Sequence, residues 1–265
     1  MIPKIIHYCW FGRNPLPLEA QKCILSWQKH CSDYEIKEWN ESNFDINSCR
    51  YVNEAYKAGK WAFITDYVRL YVMVNYGGVY MDTDVELIKP IDEFLKLRAF
   101  SGFEGNCSIP TGIMGCEKGF PLFAELLHDY DKRNFINEDG TYDLTTNVET
   151  ITKICITHGL VMNNKFQTVD GFTLYPFDYF CAKDFTDGLV KATENTHAIH
   201  HFAGSWVNKS MRKSIKIARW FIKKFGYDLG YTLGRFFNFP FRVLSKFEIL
   251  GCKKTFSFIV KKIFN

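Results

Sequence analysis

Apolar positions recur along this chain in two rhythms, one with a period near two and one near 3.6 residues. Residues 2 to 11, IPKIIHYCWF, and 34 to 39, YEIKEW, read as short buried strands, while Pro17 to His30 and the stretch around Val52 to Ala58 carry helical spacing. Trp61, Ile64, Val68, Tyr71 and Val72 continue the helical rhythm to Tyr76, where Gly77-Gly78 ends it. This βαβα order predicts an α/β layer fold. Farther on, the pattern predicts a short helix near Asp92 to Leu97, a strand AFSGFE (99–104), and a glycine-containing loop, NCSIPTGIMG. Helices are expected at Pro121 to Tyr130 and from about Val148 to His158, and VDGFTLYP and HAIHHFAGSW alternate strand and turn.

One stretch breaks the apolar logic. In YGGVYMDTDVELIKP, residues 76 to 90, two aspartates interrupt what otherwise reads as a buried strand. On a continuous strand Val79, Met81, Thr83, Val85 and Leu87 share one face, and Tyr80, Asp82, Asp84 and Glu86 share the other. Two carboxylates that close repel and raise each other's pKa unless a positive charge sits between them. A hard divalent cation answers that requirement, since such ions take carboxylate oxygens and keep sites open for substrate phosphates. By itself an Asp-x-Asp match is weak, and for an isolated one two solvated acids at a strand end are the preferred reading.

Composition narrows the class without choosing the chemistry. With 265 residues, 47% hydrophobic and 23% charged, the chain is a folded globular protein with one substantial core. The net charge of +4 hides an asymmetry. Residues 209 to 265 hold 14 Lys and Arg against 2 acids, leaving 19 basic and 27 acidic side chains in residues 1 to 208. Two regions follow: a domain over 1–208, and a basic, aromatic, amphipathic region over 209–265. Nine cysteines, an odd number without zinc spacing, argue against a disulfide framework and for a reducing, cytoplasmic setting. The opening MIPKIIHYCWFG lacks a signal-peptide cleavage site, and no uncharged apolar run reaches 18 residues, so neither a leader nor a bilayer-spanning segment is expected.

Larger blocks supply context for the aspartates. The run AFITDYVRLYVMVNYGGVYMDTD, residues 62 to 84, together with IPKIIHYCWFG at the start and HHFAGSW at 200 to 206, resembles the signature of glycosyltransferase family 32. That family carries a sugar-binding DXD motif and includes capsular-polysaccharide sugar transferases and yeast mannosyltransferase relatives. Thr65 stands where the family more often has serine, a small hydroxyl for a small hydroxyl.

The resemblance implies a GT-A fold, a Rossmann-like nucleotide-diphospho-sugar transferase domain. It implies a nucleotide-sugar donor, with a UDP-hexose preferred over GDP-mannose, and Mn²⁺ or Mg²⁺ held at Asp82 and Asp84. Asp66 and Arg69 are then catalytic with the two aspartates and contact the donor, Arg69 offering a charged fork to its diphosphate; apart from the motif they read as a surface i,i+3 ion pair. His7, Tyr8 and Trp10 are expected at the nucleotide base, Asn147 near the sugar, and Ser205 and Trp206 at the phosphates; ordinary core packing explains the aromatic cluster equally well, and helix capping is the commoner use of a cluster such as Thr145, Thr146 and Asn147. Of the adjacent histidines only one can face the metal from a strand, and His201 is favoured over His200. The loop from Thr111 to Gly115 is a candidate acceptor wall.

The implied reaction retains anomeric configuration, with the departing phosphate helping to deprotonate the acceptor. The acceptor is a glycan or lipid-linked sugar in surface polysaccharide (capsule or lipopolysaccharide) synthesis, and no nucleic acid is expected. The basic region suits the inner face of an anionic cytoplasmic membrane. Two rival readings remain. Met81-Asp82-Thr83-Asp84-Val85 also resembles the strand end of haloacid-dehalogenase phosphohydrolases, although Glu86 stands where those need threonine, and a non-catalytic sugar-binding module would show the same blocks.

Overall fold

The computed structural model describes residues 1–105, 107–204, 207 and 209–245. Two compact units divide them: Met1–Lys183 with Val190–Ala203, and Asp184–Leu189 with the chain from Gly204 onward.

In the first unit the elements run β1 (Ile5–Cys9), α1 (Leu18–His30), β2 (Glu35–Trp39), α2 (Arg50–Lys57), α3 (Trp61–Tyr76), β3 (Gly78–Met81), β4 (Val85–Leu87), β5 (Ala99–Gly102) and β6 (Ile113–Cys116). They continue through α4 (Pro121–Tyr130), α5 (Asn147–Thr157), β7 (Gln167–Val169), β8 (Phe172–Tyr175), α6 (Phe177–Phe180) and β9 (Ala198–His200). Seven strands form one sheet in the order β2-β1-β3-β6-β5-β8-β7, and β4 pairs with β9 in a second, two-stranded sheet. The α/β expectation holds, but the main sheet is mixed. β1 runs parallel to β2 and β3, and β5 to β8, whereas β6 is antiparallel to both β3 and β5. The strands β2, β1, β3, β5 and β8 therefore all end on one edge, where α/β proteins place their ligands.

Alternation along the strands divides the core in two. Val79 and Met81 of β3 join Ile6, Trp27 and Phe94 on one face, while Tyr80 turns to the other face with α3 and α4. The amphipathic pattern of α3 buries Phe63, Ile64, Val68, Leu70, Val72 and Met73 against that second face.

Three elements depart from the sequence reading. The segment read as a loop, NCSIPTGIMG, ends in β6, a central strand. Gly115 interrupts its apolar run because a Cβ there would collide with the Phe100 ring. The aspartates do not lie on a continuous strand: the chain leaves the main sheet after Met81, turns with the Val85 N–H donating to the Asp82 carbonyl at 3.0 Å, and starts β4 in another sheet. The helix expected at Asp92 to Leu97 is one 3₁₀ turn, Asp92–Phe94.

The turn from α3 into β3 depends on Gly77 and Gly78, both at positive φ (68° and 103°); a Cβ on Gly78 would lie 2.7 Å from the Ile5 carbonyl oxygen. His7 locks this turn. It is fully buried, and the Trp39 indole N–H donates to its Nδ1 at 3.0 Å. An indole nitrogen only donates, so the proton sits on Nε2 and donates to the Gly77 carbonyl at 2.9 Å. Burial, set against the Gly77 bond, lowers the His7 pKa to about 4. The fold thus binds the neutral ring, while the unfolded chain takes up a proton near pH 6.5. Its stabilisation is complete above pH 6.5 and is lost as pH falls toward 4, by on the order of 3 kcal/mol. His7→Gln keeps a donor and does not titrate. Urea midpoints measured from pH 7.5 to 4.5 should fall less steeply in that variant than in the wild type, and parallel profiles would show that His7 does not carry the acid sensitivity.

Candidate active site at the carboxyl edge of the sheet

The site is built around a buried guanidinium. Arg69 lies two turns into α3, with its side chain 5% exposed, in front of Tyr80 at 4.7 Å from the ring centre. Its Nε–H donates to the Thr65 carbonyl at 3.3 Å and Nη1 to the Thr111 carbonyl, while Nη2 lies 3.1 Å from Asp66 Oδ1 and 3.3 Å from Asp82 Oδ1. The Tyr80 hydroxyl donates to the same Asp82 oxygen at 2.9 Å, and the Asp82 N–H to the Gly112 carbonyl at 2.7 Å. Asp82 is thus gripped from its own strand, from α3 and from the entry to β6. Four of the five Arg69 N–H groups are taken by these partners, so the fork expected to meet a diphosphate is largely occupied within the fold, where it positions Asp66 and Asp82.

Burial raises the Asp66 pKa to about 6 even beside Arg69. Asp66 also receives the Asn147 backbone N–H at 3.3 Å on Oδ2, and its carbonyl receives the Asn147 side-chain amide at 3.2 Å. Asn147 opens α5, with Thr146 as the capping residue. Capping and contact with the site therefore coexist there, and the buried Asn147 Oδ1 has no hydrogen-bond partner.

Asp84 is held from the other end of the unit. The Ala203 N–H donates to Oδ2 at 2.7 Å, and His200 Nε2 lies 3.3 Å from Oδ1. Burial opposes its ionisation, but the His200 ring, when protonated, and the Ala203 N–H outweigh that and hold the carboxyl well below the usual carboxylate range; a cation held there would replace that proton. One ligand atom each from Asp82, Asp84 and His200 all fall within 4.8 Å of one another.

The expected metal histidine is corrected accordingly. His201 Nε2 meets Glu86 Oε2 at 2.8 Å, because adjacent residues leaving a strand point to opposite sides, and His200 is the one that faces the aspartates. Gly112 makes room for that ring: a Cβ there would lie 2.8 Å from its Cε1.

The remaining expected residues separate. His7 and Tyr8 are buried in the fold, Tyr8 against Trp27 with its hydroxyl donating to Glu38 at 2.6 Å, so neither offers a stacking face and both assignments are corrected. Trp10 keeps partial exposure just beyond β1, its indole N–H on the Asn14 carbonyl at 2.6 Å. Ser205 and Trp206 lie outside the described residues. The loop read as an acceptor wall is structural where it meets the site, since Thr111 and Gly112 supply the carbonyls that hold Arg69 and Asp82.

Glu104 escaped the sequence reading. It follows β5 on the same edge, two strands from β3 and so about 10 Å across the sheet. Burial raises its pKa, partly offset by the Ser108 hydroxyl, which donates to Oε1 at 2.8 Å. A lone Glu at the end of an apolar strand carries no sequence signal of that placement.

The cluster fits a hard or borderline divalent ion. Two carboxylates suit Mg²⁺ or Mn²⁺, and an imidazole favours the transition ion. Side-chain exposures of 27% at Asp82, 19% at Asp84 and 13% at His200 leave access from solvent.

Parts of this chain match known proteins. Residues 17–101 match the family described as the glycosyltransferase sugar-binding region containing DXD motif. Inositol phosphoceramide mannosyltransferase 3 of Schizosaccharomyces pombe is 26% identical over 145 residues, 51% of this chain and 38% of that protein. Mannosyl phosphorylinositol ceramide synthase CSH1 of Saccharomyces cerevisiae is 28% identical over 48% of this chain and 35% of its own length. The matches thus span little more than a third of either yeast protein. Among solved structures, a glycosyltransferase involved in glycosylation of the major capsid of PBCV-1 aligns over 77% of this chain and 96% of its own (12% identity, TM-score 0.44). The galactosyltransferase LgtC aligns over 76% and 88% (11% identity, TM-score 0.39).

The Arg69 arrangement is testable without any ligand. Removing one partner of a buried charge cluster costs about 3–5 kcal/mol, whereas a surface i,i+3 pair is worth a few tenths. Arg69→Met should therefore destabilise the protein by about 3 kcal/mol in urea unfolding at pH 7.5. Combining it with Asp66→Asn should recover part of that loss, giving a coupling of about 1–3 kcal/mol. Strict additivity would return the pair to an ordinary surface contact.

Proposed function

Residues 17–101 of this chain belong to the glycosyltransferase sugar-binding family that carries the DXD motif, and on that premise we propose a metal-dependent hexosyltransferase that draws on a nucleotide-sugar. The observation that carries the reading is the convergence of Asp82, Asp84 and His200 within 4.8 Å at the carboxyl edge of the sheet. The names of the two yeast relatives favour mannose as the sugar and a lipid-linked acceptor over a UDP-hexose and a free glycan. A surface polysaccharide precursor remains within that acceptor class.

In the transfer, the bond from the sugar C1 to the diphosphate oxygen breaks and a bond from C1 to an acceptor hydroxyl oxygen forms. The hydroxyl proton leaves with the diphosphate, and attack on the same face retains configuration. Mn²⁺ or Mg²⁺, when bound, supplies a Lewis acid for the charge that builds on the leaving diphosphate. The chain's own residues keep that centre in place. Arg69 and Tyr80 fix Asp82, Ala203 fixes Asp84, and Gly112 leaves space for His200, so little reorganisation is required as charge develops. Asn147, with an unpartnered buried oxygen beside Asp66, is suited to accept a hydrogen bond from a donor-sugar hydroxyl. Trp10 is the aromatic group still available to a nucleotide base.

A thermal-shift screen of GDP-mannose and UDP-hexoses with and without Mn²⁺ identifies the donor by linkage, and slow release of free nucleotide identifies a transferase. Cleavage of simple phosphate monoesters would instead support a phosphohydrolase, and binding without turnover a sugar-binding module. Asp84→Asn, close in shape but uncharged, should abolish Mn²⁺-dependent nucleotide release with an unchanged circular dichroism spectrum; full activity would remove the metal role. Gly112→Ala should push the His200 ring aside and weaken Mn²⁺ binding at least about tenfold by calorimetry.

A further inference from the structure

The second unit contains α7 (Lys209–Phe225) and α8 (Tyr227–Phe237), joined at Gly226, whose φ of 78° makes the tight corner. Their packing runs against the order usual in water. Small residues form the seam: a Cβ on Gly230 would lie 2.5 Å from the Ile222 Cα, and one on Gly234 2.9 Å from the Ala218 Cα, so the backbones touch where Gly230-x-x-x-Gly234 faces α7. Ser214 is buried there too, and its carbonyl accepts the Asn238 amide at 3.4 Å. Ile222 is buried in the seam and the Phe221 and Phe237 rings stack across it at 5.0 Å, but other bulky apolar side chains are left outside, with Phe236 74%, Leu229 56% and Trp220 54% exposed.

On α8 the spacing of Leu229, Leu233 and Phe236 places them in one stripe beside the glycine seam. On α7 Trp220 stands among Lys213, Lys216 and Lys224, with the Lys224 ammonium 4.9 Å from its ring centre. From 209 to 245 the chain has nine Lys and Arg against one acid, Asp228. Close glycine contacts inside and large apolar groups outside are the packing order of helices whose surroundings are hydrocarbon. Neither helix is long and apolar enough to cross a membrane.

We propose that this helical pair docks on an anionic bilayer surface, Leu229, Phe236 and Trp220 entering the headgroup–acyl boundary and the surrounding lysines meeting the lipid phosphates. Charge decides between a bilayer and a second copy of this chain as the occupant. Nine cations and one anion repel their own image across a two-fold interface but are drawn to an anionic leaflet. Aromatic rings flanked by lysines are also the anchors typical of membrane interfaces.

The test uses the full chain and vesicles of equal parts phosphatidylglycerol and phosphatidylcholine at low ionic strength. The wild type should sediment with them and should bind pure phosphatidylcholine vesicles at least about tenfold more weakly. The triple variant Trp220→Ser, Leu229→Ser, Phe236→Ser, whose changes are all at exposed positions, should lose at least about tenfold in partitioning while its far-ultraviolet spectrum is unchanged. Should that variant be poorly folded, Lys213→Glu with Lys216→Glu and Lys224→Glu gives a second reading that leaves the apolar positions intact, with the same loss expected. A wild type that stays in the supernatant, binds both vesicle types equally, or self-associates through this face in sedimentation velocity without binding vesicles would overturn the proposal. None of these readouts depends on catalysis, so they stand apart from the assigned reaction.

Discussion

A guanidinium sealed from water must be matched by charge within reach, and that requirement organises the centre of this protein. Arg69 sits on a helix, its two carboxylates on that helix and at the end of a strand, and the carbonyl that completes its shell on the way into another strand. A shift of α3 by one residue against β3 would leave a buried ion unpaired, at a cost of several kcal/mol. The cluster therefore fixes the register between helix and sheet as well as the direction of Asp82. Such a pair adds little net stability compared with a well-packed apolar core. What it supplies is a carboxylate already aimed before any ligand arrives.

The second aspartate is secured by different means. Asp84 gains an N–H and an imidazole from residues 200 to 203, more than a hundred positions later in the chain. The small β4–β9 sheet makes this geometry possible by pairing Val85 with His200, and the Trp27 indole N–H pins β4 by donating to the Val85 carbonyl at 2.7 Å. Because Asp82 ends one sheet and Asp84 precedes another, the turn between them brings together two structural systems. That turn is what brings one ligand atom each from Asp82, Asp84 and His200 within 4.8 Å of one another.

The elements with a long, regular apolar rhythm were readable from sequence: α3 at Trp61–Tyr76 and α4 at Pro121–Tyr130 match their expected bounds because burial acts on many residues at once. β6 was not readable. Four residues with a glycine among them give no period, and Gly115 makes sense only beside the Phe100 ring that comes from another strand. The break after Met81 was equally hidden, since Met-Asp-Thr-Asp-Val alternates as well as any strand does. What ends it is sheet membership, settled by the partners β6 and β9, which lie far along the chain.

Sequence by itself determined the local chemistry: two aspartates two residues apart after a Gly-Gly turn, an Asp and Arg three apart on the helix before it, and paired histidines late in the chain. These follow from residue identity and short-range periodicity. Tertiary structure decided how each is used. Two adjacent histidines are equivalent on paper, but strand pairing turns His200 toward the aspartates and His201 toward Glu86. His7 and Tyr8 look like aromatic ligands until burial makes them part of the frame. Arg69, legible as a surface pair or a phosphate clamp, is buried and held by four partners within the fold, because a charge is defined by its dielectric and its neighbours, and both are assembled only when distant segments meet.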